Sequence, residues 1–162
     1  MRSASRKLQV LLMTTGMAVS FAVAAGLPAH AAYGVCTTTS MVYTGNYEYV
    51  SVPARSGNGA SCYMGQGQGS KSAVEALQDA IVTCYSQTAA ADLIRDNGGV
   101  DGIYGAGTVK AVKSLQKNQL GFKGSAIDGV YGPKTRQAMM WQLFGSSGAP
   151  LYPWQCKNPT QA

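Results

Sequence analysis

The sequence predicts a mainly α-helical fold: a compact three-helix bundle with a small N-terminal β-hairpin, stapled by disulfides. Three observations predict it. Apolar residues recur at helical spacing in separate segments, a turn-and-helix motif occurs twice 27 residues apart, and four cysteines lie beyond a leading apolar run. The part beyond that run is long enough for one domain with a modest core.

The first 31 residues are predicted to be an export signal. Three basic residues precede an uncharged apolar run from Leu8 to Leu27, and an Ala-x-Ala cleavage site ends at Ala31. A retained membrane anchor is the alternative, but Gly16, Gly26 and Pro28 interrupt or end the run. We therefore expect a secreted, extracellular protein that has no membrane contact after cleavage.

The charge of the exported part argues against nucleic acid as a partner. The whole chain carries +6, and the exported part +3, because three of the thirteen basic residues leave with the signal and none of the seven acids does. That part lacks the dense lysine and arginine patches of a protein that binds a phosphate backbone. We expect a monomer that binds no nucleic acid.

Four cysteines in an exported chain predict two disulfides. They are Cys36, Cys62, Cys84 and Cys156. A zinc site would need closely spaced ligand pairs with histidine partners, which are absent from the sequence, so no metal is expected. Three connectivities are possible. We favour Cys62 with Cys84, which lie before and near the end of the first predicted helix, and Cys36 with Cys156, the outermost pair.

Two short strands are predicted near the start of the exported part. Met41–Tyr43 and Tyr47–Val52 are rich in strand-forming residues and flank Thr44-Gly45-Asn46, a typical turn sequence. This pattern predicts a β-hairpin.

Three helices are predicted after the hairpin. Ser72 and Glu75 form a capping-box signature that predicts the start of the first, and Pro133 suits the first turn of the third. The predicted helix ranges are 72–86, 108–118 and 133–144. The predicted organisation is an export signal over 1–31, a hairpin extension over 32–70, a helical domain over 71–145 and a tail over 146–162.

A twelve-residue motif occurs twice. Asp101–Val112, the first unit, returns as Asp128–Met139, the second unit, with six identical positions. In each unit Asp-Gly predicts a tight turn, Ile103 or Val130 is expected to point inward, and a threonine is expected to open a helix.

This combination resembles the peptidoglycan-binding domain found beside bacterial wall hydrolases. The resemblance rests on the two units and on two Leu-Gln pairs, Leu77-Gln78 and Leu115-Gln116, and it covers about Ser72 to Phe144. It implies a three-helix module that binds peptidoglycan, needs no cofactor and stays near the cell wall. The chain departs from the family in having Ala106 where proline is common, and in a long connection over 89–100.

The resemblance implies that the ligand contacts the helix starts and the loops between them. The candidate residues are Asp101, Tyr104, Asp128, Tyr131 and Arg136. Aromatic edges and hydrogen-bonding groups would suit a glycan with peptide stems. Other interpretations stay open: the aspartates as turn residues, the tyrosines as half-buried rings packed on the next turn, and the arginine as a solvated helix residue.

No catalytic residues are predicted. His30 is the only histidine and lies in the predicted signal, so the exported part lacks Ser/His and Cys/His pairs and a histidine-bearing zinc centre. A pair of carboxylates, as in a muramidase, stays open. The candidates for it are Glu48, Glu75, Asp79, Asp92, Asp96, Asp101 and Asp128.

The sequence thus predicts a secreted, non-enzymatic protein that binds peptidoglycan. The alternative is a secreted interaction or inhibitor protein in which the hairpin over 41–52 binds another protein and the helices serve as a scaffold.

Overall fold

The structure, a computed structural model, describes residues 33–57, 59–151 and 155–159. The predicted export signal and its cleavage site lie outside these ranges. The described residues form helices and one antiparallel sheet with strand order β1-β2-β3-β4. In chain order the elements are β1 (Thr38–Gly45), β2 (Glu48–Ala54), α1 (Lys71–Cys84), α2 (Ala89–Arg95), α3 (Ala106–Asn118), a 3-10 turn (Gly124–Ala126), α4 (Pro133–Ala138), β3 (Trp141–Phe144) and β4 (Cys156–Lys157).

The predicted hairpin is confirmed. Strands β1 and β2 pair antiparallel, with Tyr43 opposite Tyr49, and both strands are longer than predicted. The turn residues Asn46 and Tyr47 have φ of 50° and 60°, the positive values that the two central residues of a type I′ hairpin turn adopt. This turn matches the right-handed twist of the two strands.

The first helix begins one residue earlier than predicted, and its N-cap lies two residues before the predicted one. Ser70, in an extended conformation, is its N-cap, and its hydroxyl accepts from the Ala73 amide at 3.3 Å. The capping box predicted at Ser72 is therefore wrong. Glu75 instead lies 3.7 Å from the ammonium of Lys71, one turn away on the helix surface.

The description as a mainly α three-helix bundle is not confirmed, because the chain has further elements. Helix α2 occupies the stretch expected to be a connection, and the Thr88 hydroxyl caps it by accepting from the Ala91 amide at 3.5 Å. A four-stranded sheet accompanies the helices.

The predicted third helix is only half as long as expected. Helix α4 ends at Ala138, Met139 is extended, and Trp141–Phe144 forms β3. The edge of β2 offers unpaired backbone groups to this segment, and Tyr49 pairs with Phe144 in that register. The apolar residues that suggested a helix are buried equally well by the strand, since Trp141 is 1% and Leu143 4% exposed.

The favoured disulfide pairing is wrong. The bridges are Cys36–Cys62 and Cys84–Cys156. A short parallel backbone pairing between Val35 and Tyr63 places Cys36 beside Cys62, near the start of α1, where Ser70 donates to the Cys36 carbonyl at 3.0 Å. Because Cys84 ends the 14-residue α1, it lies about 20 Å away, beyond the reach of a disulfide.

One hydrophobic core joins the hairpin extension to the helices. It includes Val50 and Met64 from the extension with Leu77, Leu115 and Trp141. Backbone bonds in both directions, 2.8 and 2.9 Å long, join Met64 to Tyr131 in the second unit. Gly67 of the extension donates to the Tyr104 carbonyl in the first unit at 2.9 Å, so the extension contacts both units. Within the described ranges, no helix is long and apolar enough to cross a bilayer.

Candidate functional site

The turn of the first unit is held by a buried glutamine of α1. The side-chain amide of Gln78, 2% exposed, donates to Asp101 Oδ1 at 2.8 Å, to the Ile103 carbonyl at 3.2 Å and to Thr108 Oγ1 at 3.1 Å. Its oxygen accepts from the amides of Asp101 and Gly102 at 3.1 and 2.9 Å. One side chain therefore satisfies both the donors and the acceptors of the turn.

The second unit repeats this arrangement with a glutamine of α3. Gln116, 1% exposed, donates to Asp128 Oδ1 at 2.8 Å, to the Val130 carbonyl at 3.1 Å and to Thr135 Oγ1 at 3.3 Å. Its oxygen accepts from the Gly129 amide at 2.9 Å. The two Leu-Gln pairs of the sequence are explained by this: each leucine is in the core and each glutamine holds the following turn.

Glycine is required at the second position of each turn. Gly102 and Gly129 have φ of 75° and 74°. A Cβ at Gly129 would also come within 2.9 Å of side-chain atoms of Val109 and Lys113. A larger residue would strain the backbone and push the turn away from the helix that holds it.

The turn role of the two aspartates is confirmed. Oδ1 of Asp101 accepts from the Ile103 amide, and Oδ1 of Asp128 from the Val130 amide, each at 2.8 Å. The bond from Ile103 and the bond from Gln78 lower the pKa of Asp101 from its ordinary value. Both carboxylates thus shape the helix starts, and a ligand role for either stays a prediction.

The two tyrosines expected at the ligand surface lie in the core. Tyr104 is 2% and Tyr131 0% exposed. The Tyr104 hydroxyl donates to the Gly129 carbonyl at 3.0 Å, which links the first unit to the second. Tyr131 packs edge-on against Trp141 with ring centroids 6.1 Å apart. Neither ring presents surface to a ligand, so the expectation of exposed aromatic edges here is corrected.

The inward residue of the motif is the tyrosine and not the residue before it. Ile103 is 63% exposed and Val130 is half-buried, so the expectation that they point inward is wrong. Burial raises the pKa of Tyr104 and that of Tyr131 well above their ordinary values, so both rings are neutral.

Arg136 is a partly buried residue beside Tyr131. Its positive charge lowers the pKa of Tyr131 and so opposes part of the rise that burial causes. Its carbonyl accepts from the Trp141 indole at 3.2 Å. Arg136 Nε and the Tyr131 hydroxyl are buried without a hydrogen-bond partner among the described residues. Arg136 therefore packs inside the second unit, beside Tyr131 and Trp141.

A groove of about 590 Å³ lies at the start of the second unit. It combines two opposite charges, Asp128 and Lys134, with the rings of Tyr33 and Phe122. The Lys134 ammonium lies 4.8 Å from the centre of the Phe122 ring, close enough for a cation–π contact. The remaining lining residues are Gln116, Ser125, Ala126, Val130, Gly132, Pro133 and Thr135.

Of the five predicted site residues, only Asp128 lines this groove. Sequence reasoning missed Lys134, Phe122, Ser125 and Tyr33. Lys134 occupies a non-identical position within the second unit, and the other three lie outside both units. The position of Phe122 and Ser125 in the loop between the units could have indicated them, since this loop leads directly to the start of α4.

The described residues contain no group of three or more histidine, cysteine, aspartate or glutamate side chains placed to hold a metal ion. The groove offers charges, hydroxyl groups and ring surface. These groups can recognise a polar polymer by hydrogen bonds and stacking.

Residues 70–139 match the family model described as a putative peptidoglycan binding domain. This segment is similar to the domains that the model describes. The match begins at Ser70, the N-cap of α1, and ends at Met139, the C-cap of α4. No curated protein and no solved structure matches the chain.

The matched segment includes both glutamines and both turn units. The groove belongs to it as well, apart from Tyr33. The hairpin and β3 lie outside the match.

Proposed function

We propose that the protein is exported and binds peptidoglycan in the groove at the start of the second unit, without cleaving it. The observation that carries this proposal is the groove itself, because it is formed almost entirely by residues of the matched segment.

The chemistry of the groove suits this polymer. Peptidoglycan combines sugar rings with stem peptides that carry carboxylates and amines. Lys134 offers a cation for a carboxylate, Asp128 an anion, and Ser125 and Tyr33 offer hydroxyl groups. The ring of Phe122 supplies an apolar surface beside the cation.

The absence of turnover is supported by the roles of Asp101 and Asp128. Oδ1 of Asp101 and of Asp128 is engaged in turn hydrogen bonds, and the only histidine of the chain lies in the predicted signal. A muramidase would be detected by the release of reducing sugar from wall sacs, and we expect none above the level of a buffer control.

A pull-down with insoluble wall sacs tests the proposal. The protein lacking residues 1–31 is incubated with purified sacs and centrifuged, with a known wall-binding module as positive control. We expect it to pellet. If it stays in the supernatant while the control pellets, the proposed function is wrong.

The alternative, a secreted interaction or inhibitor protein, is favoured by the exposed tip of the hairpin, where Tyr43 and Tyr47 are 72% and 86% exposed. Deleting the extension would not test it, because Met64 and Cys62 belong to the shared core. The substitution Lys134→Ala in the groove leaves that core intact and separates the two hypotheses, because it weakens binding to wall sacs only if the groove binds them.

A further inference from the structure

The hairpin carries a row of aromatic rings outside the matched segment. Tyr43, Tyr49 and Phe144 lie opposite one another on three adjacent strands. Tyr43 meets Tyr49 edge to face with centroids 6.2 Å apart, and Tyr49 stacks on Phe144 at 5.6 Å with 17° between their planes. Cross-strand neighbours share a face of the sheet, so the three rings form a continuous strip.

This strip continues into an exposed patch at the hairpin tip. Met41, Tyr43 and Tyr47 are 58%, 72% and 86% exposed. Contiguous exposed apolar surface of this kind marks an interaction site. The patch borders an open groove of about 440 Å³, lined by Met41, Tyr43, Tyr47, Tyr49, Ser146, Ser147 and Gly148, which together we call the tyrosine platform.

The backbone of Tyr47 gives independent support. Its φ of 60° lies in the left-handed region, where a bulky side chain is strained, and glycine is the preferred residue at this position of a type I′ turn. The ring gains little burial in return. A strained residue that holds an exposed aromatic side chain at a loop tip points to a binding role for that side chain.

We propose that the tyrosine platform binds the glycan strand of peptidoglycan, as a second contact beside the groove of the second unit. This inference rests on the proposed function. No residue of the platform is charged, which matches an uncharged sugar and disfavours nucleic acid, anionic lipid and the charged stem peptides.

The shape and the polar groups of the platform fit the same ligand. Aromatic rings pack on the apolar faces of sugars, and the serine and tyrosine hydroxyls can hydrogen-bond to sugar hydroxyls and acetamido groups. An open strip of rings accepts a linear polymer along its length. The hairpin thus has a role in the binding of peptidoglycan.

Titration with soluble N-acetylglucosamine oligomers tests the platform, because these sugars carry no stem peptides. We expect the double variant Tyr43→Ser/Tyr47→Ser to bind them roughly tenfold more weakly than the wild type. The variant Tyr43→Phe/Tyr47→Phe keeps the rings and should retain most of the affinity. Val100→Ser, which removes an exposed apolar side chain elsewhere, is the control and should bind as the wild type does.

The outcomes separate the platform from the proposed function. The platform inference is overturned if the wild type does not bind the oligomers, or if the serine variant binds them equally well. The hairpin would then be expected to bind a protein instead of a glycan. Failure of the wild type to pellet with wall sacs would overturn the proposed function. The oligomer titration is read independently of that result.

Discussion

Gln78 Nε2 lies 2.8 Å from Asp101 Oδ1, although the two residues are 23 positions apart in the chain. Gln116 and Asp128 make the same contact at the same distance. In each case a helix supplies the amide that holds the turn of the following unit. The geometry at the start of α3 therefore depends on α1, and the geometry at the start of α4 depends on α3.

Replacing Gln78 by alanine should lower the free energy of unfolding by about 2 to 4 kcal/mol, because polar groups of the turn lose their buried partner. Urea denaturation followed by circular dichroism measures it. Gln137→Ala, at an exposed position of α4, is the matched control and should change stability by less than about 0.5 kcal/mol. Equal effects of the two substitutions would contradict the buried-amide interpretation.

The depressed pKa of Asp101 predicts a pH dependence of stability. A carboxylate whose pKa is lower in the folded state stabilises above its unfolded pKa of about 3.9, and this contribution disappears as pH falls through the folded value. We expect Asp101→Asn to reduce the loss of stability between about pH 5 and pH 2. Urea midpoints across this range measure it. Asp96→Asn, which removes an exposed carboxylate, is the control and should follow the wild type.

Lys134→Ala should weaken binding to wall sacs by about three- to tenfold, because it removes the cation of the groove. Pull-down at increasing protein concentration measures the affinity. The difference from the wild type should shrink at high salt, where exposed charges are screened. Lys110→Ala removes the same charge from an exposed position of α3 outside the groove, and an equal loss in that variant would indicate a nonspecific charge effect.

Tyr47→Gly should raise the free energy of unfolding by about 0.5 to 1 kcal/mol while weakening the binding of sugar oligomers. Glycine adopts the positive φ of this turn position without strain, and the exposed ring contributes little packing. Thermal unfolding measures the stability. Tyr43→Gly, within strand β1, should have the opposite effect, and a loss of stability in both variants would argue against strain at Tyr47.

Peptide mapping without reduction should recover a fragment that joins Cys36 to Cys62 and another that joins Cys84 to Cys156. Replacing Cys84 and Cys156 together by alanine should cost about 4 kcal/mol on the chain-entropy model, since this link closes a loop of 72 positions. A fragment joining Cys62 to Cys84 would contradict the structure.

Two features that depend on local sequence were predicted correctly. The hairpin follows from turn residues between two short strands, and the two units follow from an internal repeat. The pairing of Trp141–Phe144 with β2 could not be predicted from the spacing of apolar residues, because a short apolar segment can form either a helix or a strand. The segment forms a strand here because it pairs with the edge of β2, which is distant in the sequence. The disulfides depend in the same way on which segments pair.

The candidate site was predicted in part. The repeat located both helix starts to within two residues, because α3 begins at Ala106 and α4 at Pro133, before the threonines expected to open them. Asp128 lines the groove. The burial of Tyr104 and Tyr131 was missed because an aromatic residue beside a turn suits either a surface or a core, and the choice depends on Met64, Gly129 and Trp141, which come from other segments.

The short length of α4 limits the series to two units. Aligning the units places Leu143 at the position that corresponds to Gln116, and Leu143 lies in β3, 4% exposed, beside Val50 of the hairpin. No amide is present there to hold a third turn. The hairpin sheet takes up the end of the array instead, much as a terminal capping repeat closes a solenoid and keeps it from growing.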